Sequence, residues 1–164
     1  MTGTSTSDLL VLAVDVGTSS ARCGLYDARG DLAPGTLRSE EHGLRTTPDG
    51  GAELDADSLV ERVCDLIGAS VSSAGGRTIV GVGTTTFWHS LMGVDEHGDA
   101  ATPVYTWADT RAVGAARDLH SLLDVESLCA RTGRPVHPSY LLEKLLWLRH
   151  DRPELFFQVR TWMS

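Results

Sequence analysis

The chain has 164 residues, of which 41% are hydrophobic and 22% charged, a balance that suits a soluble globular protein with room for one sizeable core. A formal net charge of -8 and the lack of any basic run argue against a nucleic-acid partner, though an acidic surface does not forbid an anionic substrate. Cys23, Cys64 and Cys129 are widely spaced and form no CxxC pair, which argues against a zinc site or a disulfide framework and for reduced thiols in a cytoplasmic protein.

Residues 1–8 lack a positively charged run, and the apolar stretch behind them is too short for a signal or membrane helix. They read as a frayed tail, and no membrane partner is expected. Residues 9–14 are continuously apolar, the pattern of a strand buried on both faces. Asp15 stands at its end. Gly17, Thr18, Ser19 and Ser20 make a tight turn, after which Ala21, Cys23 and Leu25 alternate with Arg22, Gly24 and Tyr26 in the period of a second strand. The tip of this hairpin has the parts of a phosphate site. Glycine admits an anion without a Cβ in the way, and successive turn amides form an anion-binding nest. Hydroxyls donate to phosphate oxygens, and Asp15 has the chemistry to hold magnesium directly or through water. The same residues equally suit an ordinary turn whose Ser and Thr satisfy the backbone.

A turn at residues 27–30 and a third strand near residues 31–40 extend the hairpin into an antiparallel meander. Residues 41–52, with four glycines or prolines, read as a loop. Asp55 or Asp57 caps a helix whose apolar stripe is Leu59, Val60, Val63, Ile67 and Val71. Residues 78–83 follow as a strand, and a helix between strands predicts a crossover onto a parallel neighbour. The run Gly81-Val-Gly83-Thr-Thr-Thr86 is not a dinucleotide fingerprint, because Thr86 takes the third glycine's place and another strand, residues 91–95, follows. No Gly-x-x-x-x-Gly-Lys-Ser/Thr run occurs, so a P-loop is excluded.

Residues 84–90, with Trp88 and His89, lie between those strands, where a loop or strand end would face a cleft. By residue type alone His89 is a turn residue and Trp88 is equally packing. Residues 95–99 turn a hairpin. Asp109 equally caps the next helix or meets a ligand, and Arg111 offers either bidentate recognition of a carboxylate or paired hydroxyls, or a structural ion pair. Helices are predicted over 112–123 and 125–130. Residues 132–140, with His137, form a loop of strong breakers. Leu141, Leu142, Leu145, Leu146 and Leu148 give the face of a further helix, with Lys144 and Trp147 alongside. A short helix from residue 152 and a strand over 159–163 follow.

The run Asp15-Val-Gly17-Thr18-Ser19-Ser20-Ala-Arg22 resembles the first phosphate motif of the FGGY carbohydrate kinases, within the sugar kinase, Hsp70 and actin superfamily. Later segments follow the same family's order. Residues 50–55 resemble its G-x-x-E-x-D approach to the first helix. Trp107-Ala-Asp109-Thr-Arg111 resembles its W-x-D-x-R segment, and Thr132-Gly133 through Lys144 and Trp147 its T-G…K-x-x-W run. Trp88-His89 stands where glycerol-specific members carry Arg-Glu, and xylulose- and gluconate-type members carry a His at the place of His89. Pro135-Val-His137-Pro138-Ser-Tyr140 is similar to the gluconate kinases.

This resemblance covers residues 9–164. It implies an α/β fold: a ribonuclease H-like, actin-like ATPase lobe with a mixed sheet, an antiparallel meander and flanking helices, present here as the N-terminal part of the first of two lobes and so incomplete. The implied activity is ATP-dependent phosphorylation of a sugar or sugar acid hydroxyl, with gluconate first. ATP and Mg2+ are the implied cofactors. Asp15 would orient magnesium, and Gly17, Thr18, Ser19, Ser20 and Arg22 would cradle the phosphates. Trp88, His89, Asp109, Arg111 and His137 would face the sugar. The general base is expected beyond Ser164, so no residue here takes that role and the chain alone is expected to be inactive. A homodimer of the complete enzyme is an open expectation. Two other readings stand beside this one. The first is a lobe that only binds a ligand or a partner. The second is an actin-like ATPase module, against which the Trp107 to Arg111 segment argues because it belongs to the sugar side.

Overall fold

The computed structural model of the protein describes residues 8–164, so the expected tail lies, but for Asp8, outside the described residues. In chain order the elements are β1 (Leu9–Val16), β2 (Ser20–Tyr26), β3 (Arg38–Glu41), β4 (Arg45–Thr46), β5 (Ala52–Leu54), α1 (Ala56–Ser72), β6 (Thr78–Thr86), β7 (Met92–Val94) and β8 (Val104–Tyr105). Then come α2 (Val113–Leu122), α3 (Val125–Thr132), α4 (Leu141–Asp151), α5 (Pro153–Gln158) and β9 (Thr161–Met163). No helix among the described residues is long and apolar enough to cross a membrane. The chain divides into two compact units. One holds the chain up to Gly43 together with Asp57–Phe87, the other Leu44–Ala56 and Trp88–Ser164.

The first unit is built on a mixed sheet in the order β3-β2-β1-β6. β1 pairs antiparallel with β2, and β2 with β3, giving the expected meander. β1 pairs parallel with β6, the crossover that α1 makes possible. Leu10, Leu12, Val14, Ala21, Cys23 and Leu25 form one buried face, packed with Leu66 of α1 and with Ala33 and Ala74. Burial on both faces of β1 was the expectation, but Val11 is exposed. The pleat sends alternate residues to opposite faces, and only the Leu10-Leu12-Val14 face is core in this unit.

Two further details differ from the sequence reading. The third strand is later and shorter than residues 31–40. Pro34 has no amide to give a ladder, Gly35 turns the chain at φ 74°, and Thr36 Oγ1 both donates to Ala33 O (2.7 Å) and accepts from Leu25 N (3.2 Å). On α1 the buried side is Leu66 and Ser70, flanked by Val63 and Ile67, while Val60 and Val71 are exposed. Spacing by three and four allows a wider apolar stripe than the sheet actually covers.

The second unit holds a sheet in the order β4-β5-β8 and the pair β7-β9, all antiparallel. β4 and the start of β5 lie in what reads as a loop. Leu91, Tyr105, Ala112, Trp147 and Leu148 form its main core. Ala116, Leu119 and Val136 form a second cluster, with Val125, Leu128 and Leu146 against it. α3 starts at Asp124, whose side chain accepts from Ser127 N, and stops at Gly133 in the left-handed conformation. On α4 the buried residues are Glu143, Lys144, Trp147 and Leu148, whereas Leu141 and Leu142 are exposed. Leu145, Leu146 and Leu148 of the expected face do pack inward, while Glu143 and Lys144 rather than Leu141 and Leu142 fill the buried positions of the first turn.

Candidate functional site

Strand register assembles the first group of residues. Asp15 on β1 is paired with Arg22 on β2 and, across the other edge, with Thr85 on β6. Arg22, Asp15 and Thr85 therefore form one cross-strand row, with side chains on a common face. β6 runs through Thr86, so the expected loop at Thr84 is still strand. Thr85 was missed as a partner of Asp15. The one signal for it is that three threonines in a row favour continuing a strand.

The turn between β1 and β2 is closed from within. Gly17 N donates to Ser20 O at 2.8 Å, and a Cβ on Gly17 would lie 3.1 Å from that oxygen. The lack of a Cβ therefore lets Gly17 close tightly on Ser20, and its own amide is engaged in the turn. His42, just past β3, grips the same tip: its amide donates to Ser19 O at 2.9 Å, and its Nε2 lies 2.9 Å from Gly17 O. A carbonyl oxygen only accepts, so Nε2 carries the proton. No sequence pattern singles His42 out. Asp15 is half-buried, and Ser19 and Arg22 are exposed.

The donor set fits a magnesium-bound polyphosphate. Magnesium takes one or two carboxylates, keeps several waters and shares phosphate oxygens, which asks of the protein what Asp15 with neighbouring hydroxyls and a guanidinium can give. Among the described residues no group of three or more His, Cys, Asp or Glu could hold a metal by itself.

The second group lies in the other unit. Arg111 Nη2 donates to Asp109 Oδ2 at 2.5 Å and to Glu53 Oε1 at 2.6 Å, and its Nε donates to Asp109 Oδ1 at 3.1 Å. Asp109 is buried and also accepts from the amides of Ala52 and Arg111. Arg45 pairs with the other oxygen of Glu53. The guanidinium of Arg111 lies 4.6 Å from the Trp147 ring centre and 5.3 Å from that of Tyr105. Burial works against the Arg111 charge, but its hydrogen bonds to Asp109 and Glu53 outweigh it and hold the group above the ordinary arginine range. Asp109 does not cap α2, whose N-cap position is Ala112 without a side-chain bond. The pair fastens β5 to the segment that leads into α2.

His89 and His137 do come together, through Tyr140. The His89 ring stands edge-on to Tyr140 with centres 4.3 Å apart, and the His137 ring lies 5.9 Å from Tyr140. Trp88, 77% exposed, packs edge-on to His89 at 5.7 Å. Tyr140 was quoted in the sequence only as the end of a motif, and its place between the histidines appears only in the fold. His137 Nδ1 accepts from Ser139 N at 3.2 Å and lies 2.7 Å from Ser139 Oγ. An amide only donates, so Nδ1 is the acceptor, and neutral His137 keeps its proton on Nε2. His137 thus offers an N–H donor. Ser90 Oγ, next to His89, is buried and finds no hydrogen-bond partner among the described residues. His89 has φ 59°, the one non-glycine in the left-handed region among the described residues.

The family model for the FGGY family of carbohydrate kinases, N-terminal domain, matches residues 10–164. The gluconokinase of Bacillus subtilis (strain 168) is 27% identical over 156 residues, covering 94% of this chain and 30% of that protein. The xylulose kinase of Lactococcus lactis subsp. lactis (strain IL1403) is 29% identical over 155 residues, covering 93% of this chain and 30% of its own length. The crystal structure of gluconate kinase from Lactobacillus acidophilus superposes with a TM-score of 0.87 and 28% identity, covering 95% of this chain and 31% of that one. The chain therefore spans about 30% of the length of the curated relatives it matches.

Proposed function

The chain belongs to the FGGY family of carbohydrate kinases and carries part of their actin-like ATPase fold, and from that premise we propose that each of its two units carries one binding element of a sugar kinase. Its first unit would hold the phosphates of ATP and its second would face the sugar or sugar acid. The observation that carries this reading is the row Arg22-Asp15-Thr85 beside the glycine turn. Phosphoryl transfer asks a protein for positioning and charge neutralisation more than for covalent chemistry. A bound Mg2+ ion would supply the largest share of that neutralisation. Asp15 would hold the ion, Thr18, Ser19 and Ser20 would donate hydroxyls, and Arg22 would meet phosphate oxygens with its planar fork. Gly17 lets the turn that carries these hydroxyls close tightly.

On the sugar side, Trp88, His89 and His137 are the residues proposed to touch substrate. Asp109 and Arg111 are already engaged with each other and with Glu53, so their geometry supports an ordering role behind those three. A sugar acid, with gluconate first, is the proposed substrate. An imidazole N–H can donate to a carboxylate oxygen, and His137 keeps such a donor at Nε2. The gluconokinase relative supports the same choice. A neutral ketose is the second reading, favoured by the xylulose kinase relative. The general base is proposed to come from the part of the family's length that this chain does not span.

The reading is tested by titrating the isotope-labelled chain with a non-hydrolysable magnesium-ATP analogue and following amide resonances. Shifts should concentrate at residues 15–22 and at Thr85, and Asp15→Asn should remove their dependence on magnesium. Shifts scattered away from the turn, or an unchanged magnesium dependence in Asp15→Asn, would reject the phosphate assignment.

A further inference from the structure

Lys144 is the only lysine in the chain, whose other formal cations are all arginines. It is 1% exposed, on the first turn of α4. Its ammonium group meets no carboxylate in hydrogen-bond contact. Instead Nζ donates to three main-chain carbonyls: His89 O at 2.6 Å, Thr106 O at 2.8 Å and Ser139 O at 2.8 Å. An ammonium has three N–H donors, and all three are used. An arginine could not do this, because its donors lie in one plane while the three carbonyls converge on a point. Burying a charge without a paired counter-charge is unfavourable, so the core alone gives no reason for a lysine here.

The three carbonyls belong to three separate segments. One follows β6 and carries Trp88 and His89. One immediately precedes Trp107. The third is the loop that carries His137 and Tyr140. The neighbouring Glu143, fully buried, accepts from His137 N at 3.2 Å and from Arg134 Nη1 at 2.9 Å. The start of α4 therefore holds the backbones of both histidines. The His89 carbonyl is also the one that follows the left-handed φ, a conformation that persists in a non-glycine residue only where its surroundings enforce it.

We propose that Lys144 is the positioning residue of the sugar-side site, fixing the His89 peptide so that its ring stands against Tyr140, which the His137 ring also meets. Only the consequence for sugar binding rests on the function proposed above. The placement of the ring is independent of it.

The test uses the whole chain with labelled histidine. In the wild type, the His89 ring signal should be displaced by the Tyr140 ring current. Lys144→Met should return that signal towards its solution position while signals from the Leu10 and Leu25 core stay in place. An undisturbed His89 signal in Lys144→Met overturns the proposal. If Lys144→Met fails to fold, the same substitution is made with His89→Gly, since glycine adopts this φ without steric strain. Recovery of folding in that background supports the proposal, and failure in both backgrounds overturns it, because Lys144 would then serve the fold at large. Gluconate is then titrated. Lys144→Met should bind it about tenfold to a hundredfold more weakly than wild type, and equal binding again overturns the proposal. If gluconate leaves His89 and His137 unmoved in the wild type, the sugar-side reading fails while the ring-current result still decides the role of Lys144.

Discussion

At Arg111 a guanidinium, two carboxylates and two aromatic faces meet in a space with little water. Removing one member of such a group strands the others as buried charge. Arg111→Met should therefore destabilise the chain by about 3–5 kcal/mol, measured by urea denaturation without any ligand. Arg111→Lys should lose part of that, since a single ammonium cannot serve Asp109 bidentately and reach Glu53 as well. An Arg111→Met chain as stable as wild type would show that the guanidinium is kept for a ligand rather than for order. Lys144 makes a contrasting case. Burial pushes its ammonium down to about 8, against the partial support of the Asp109 and Glu143 charges. An unfolded lysine titrates near ~10.4. Between those values the unfolded chain binds the proton more tightly than the folded one, so this group's contribution to stability rises with pH across that window. As the single lysine, it gives one side-chain signal in a lysine-labelled chain. That signal should titrate near pH 8, and an ordinary lysine value would refute the burial argument.

The elements were legible where local chemistry and tertiary context agree. The β1–β2 hairpin, the α1 crossover and the Asp95 turn each carry their own signal: period-two alternation, a helical stripe between strands, and an Asp side chain accepting from following amides. α4 was legible as a helix and in the inward packing of Leu145, Leu146 and Leu148, but not in its two buried charges. Five leucines outvote two charges in any hydropathy pattern, yet Glu143 and Lys144 are inside because three loops present backbone groups there. No spacing rule encodes that. The same holds for the candidate site. Asp15, Gly17 and Arg22 can be read from a turn, whereas Thr85, His42 and Tyr140 reach their places through strand pairing and loop packing. The packing of α4 has a measurable consequence. Leu148, fully buried, should cost about 2–5 kcal/mol on replacement by Ala. Leu142, 39% exposed, should cost within about 0.5 kcal/mol. Equal losses at the two positions would mean that Leu142 is packed as closely as Leu148.

For the whole molecule, binding and turnover should separate. The phosphate-type row belongs to the first unit and the histidine–tyrosine group to the second, and each is built from its own unit's backbone. On the function proposed above, either should therefore show weak binding without the rest of the family's length. Turnover asks for more. A general base alone contributes about 10²–10⁴-fold, and none is assigned among these residues. Closure around the reacting groups, which excludes water and completes the site, is a second requirement. The relatives named as kinases are about three times this length, since the chain covers 30% of them. The purified chain should accordingly release no ADP in a sugar-dependent way when given ATP, magnesium and gluconate in a coupled assay, even under conditions where resonances of the turn respond to nucleotide. Turnover approaching an ordinary enzyme rate, on the order of 10 s⁻¹, would refute this. It would place a base within residues 8–164, and His137, with its proton fixed on Nε2 by Ser139, would be poorly suited to that role unless the ring turned over.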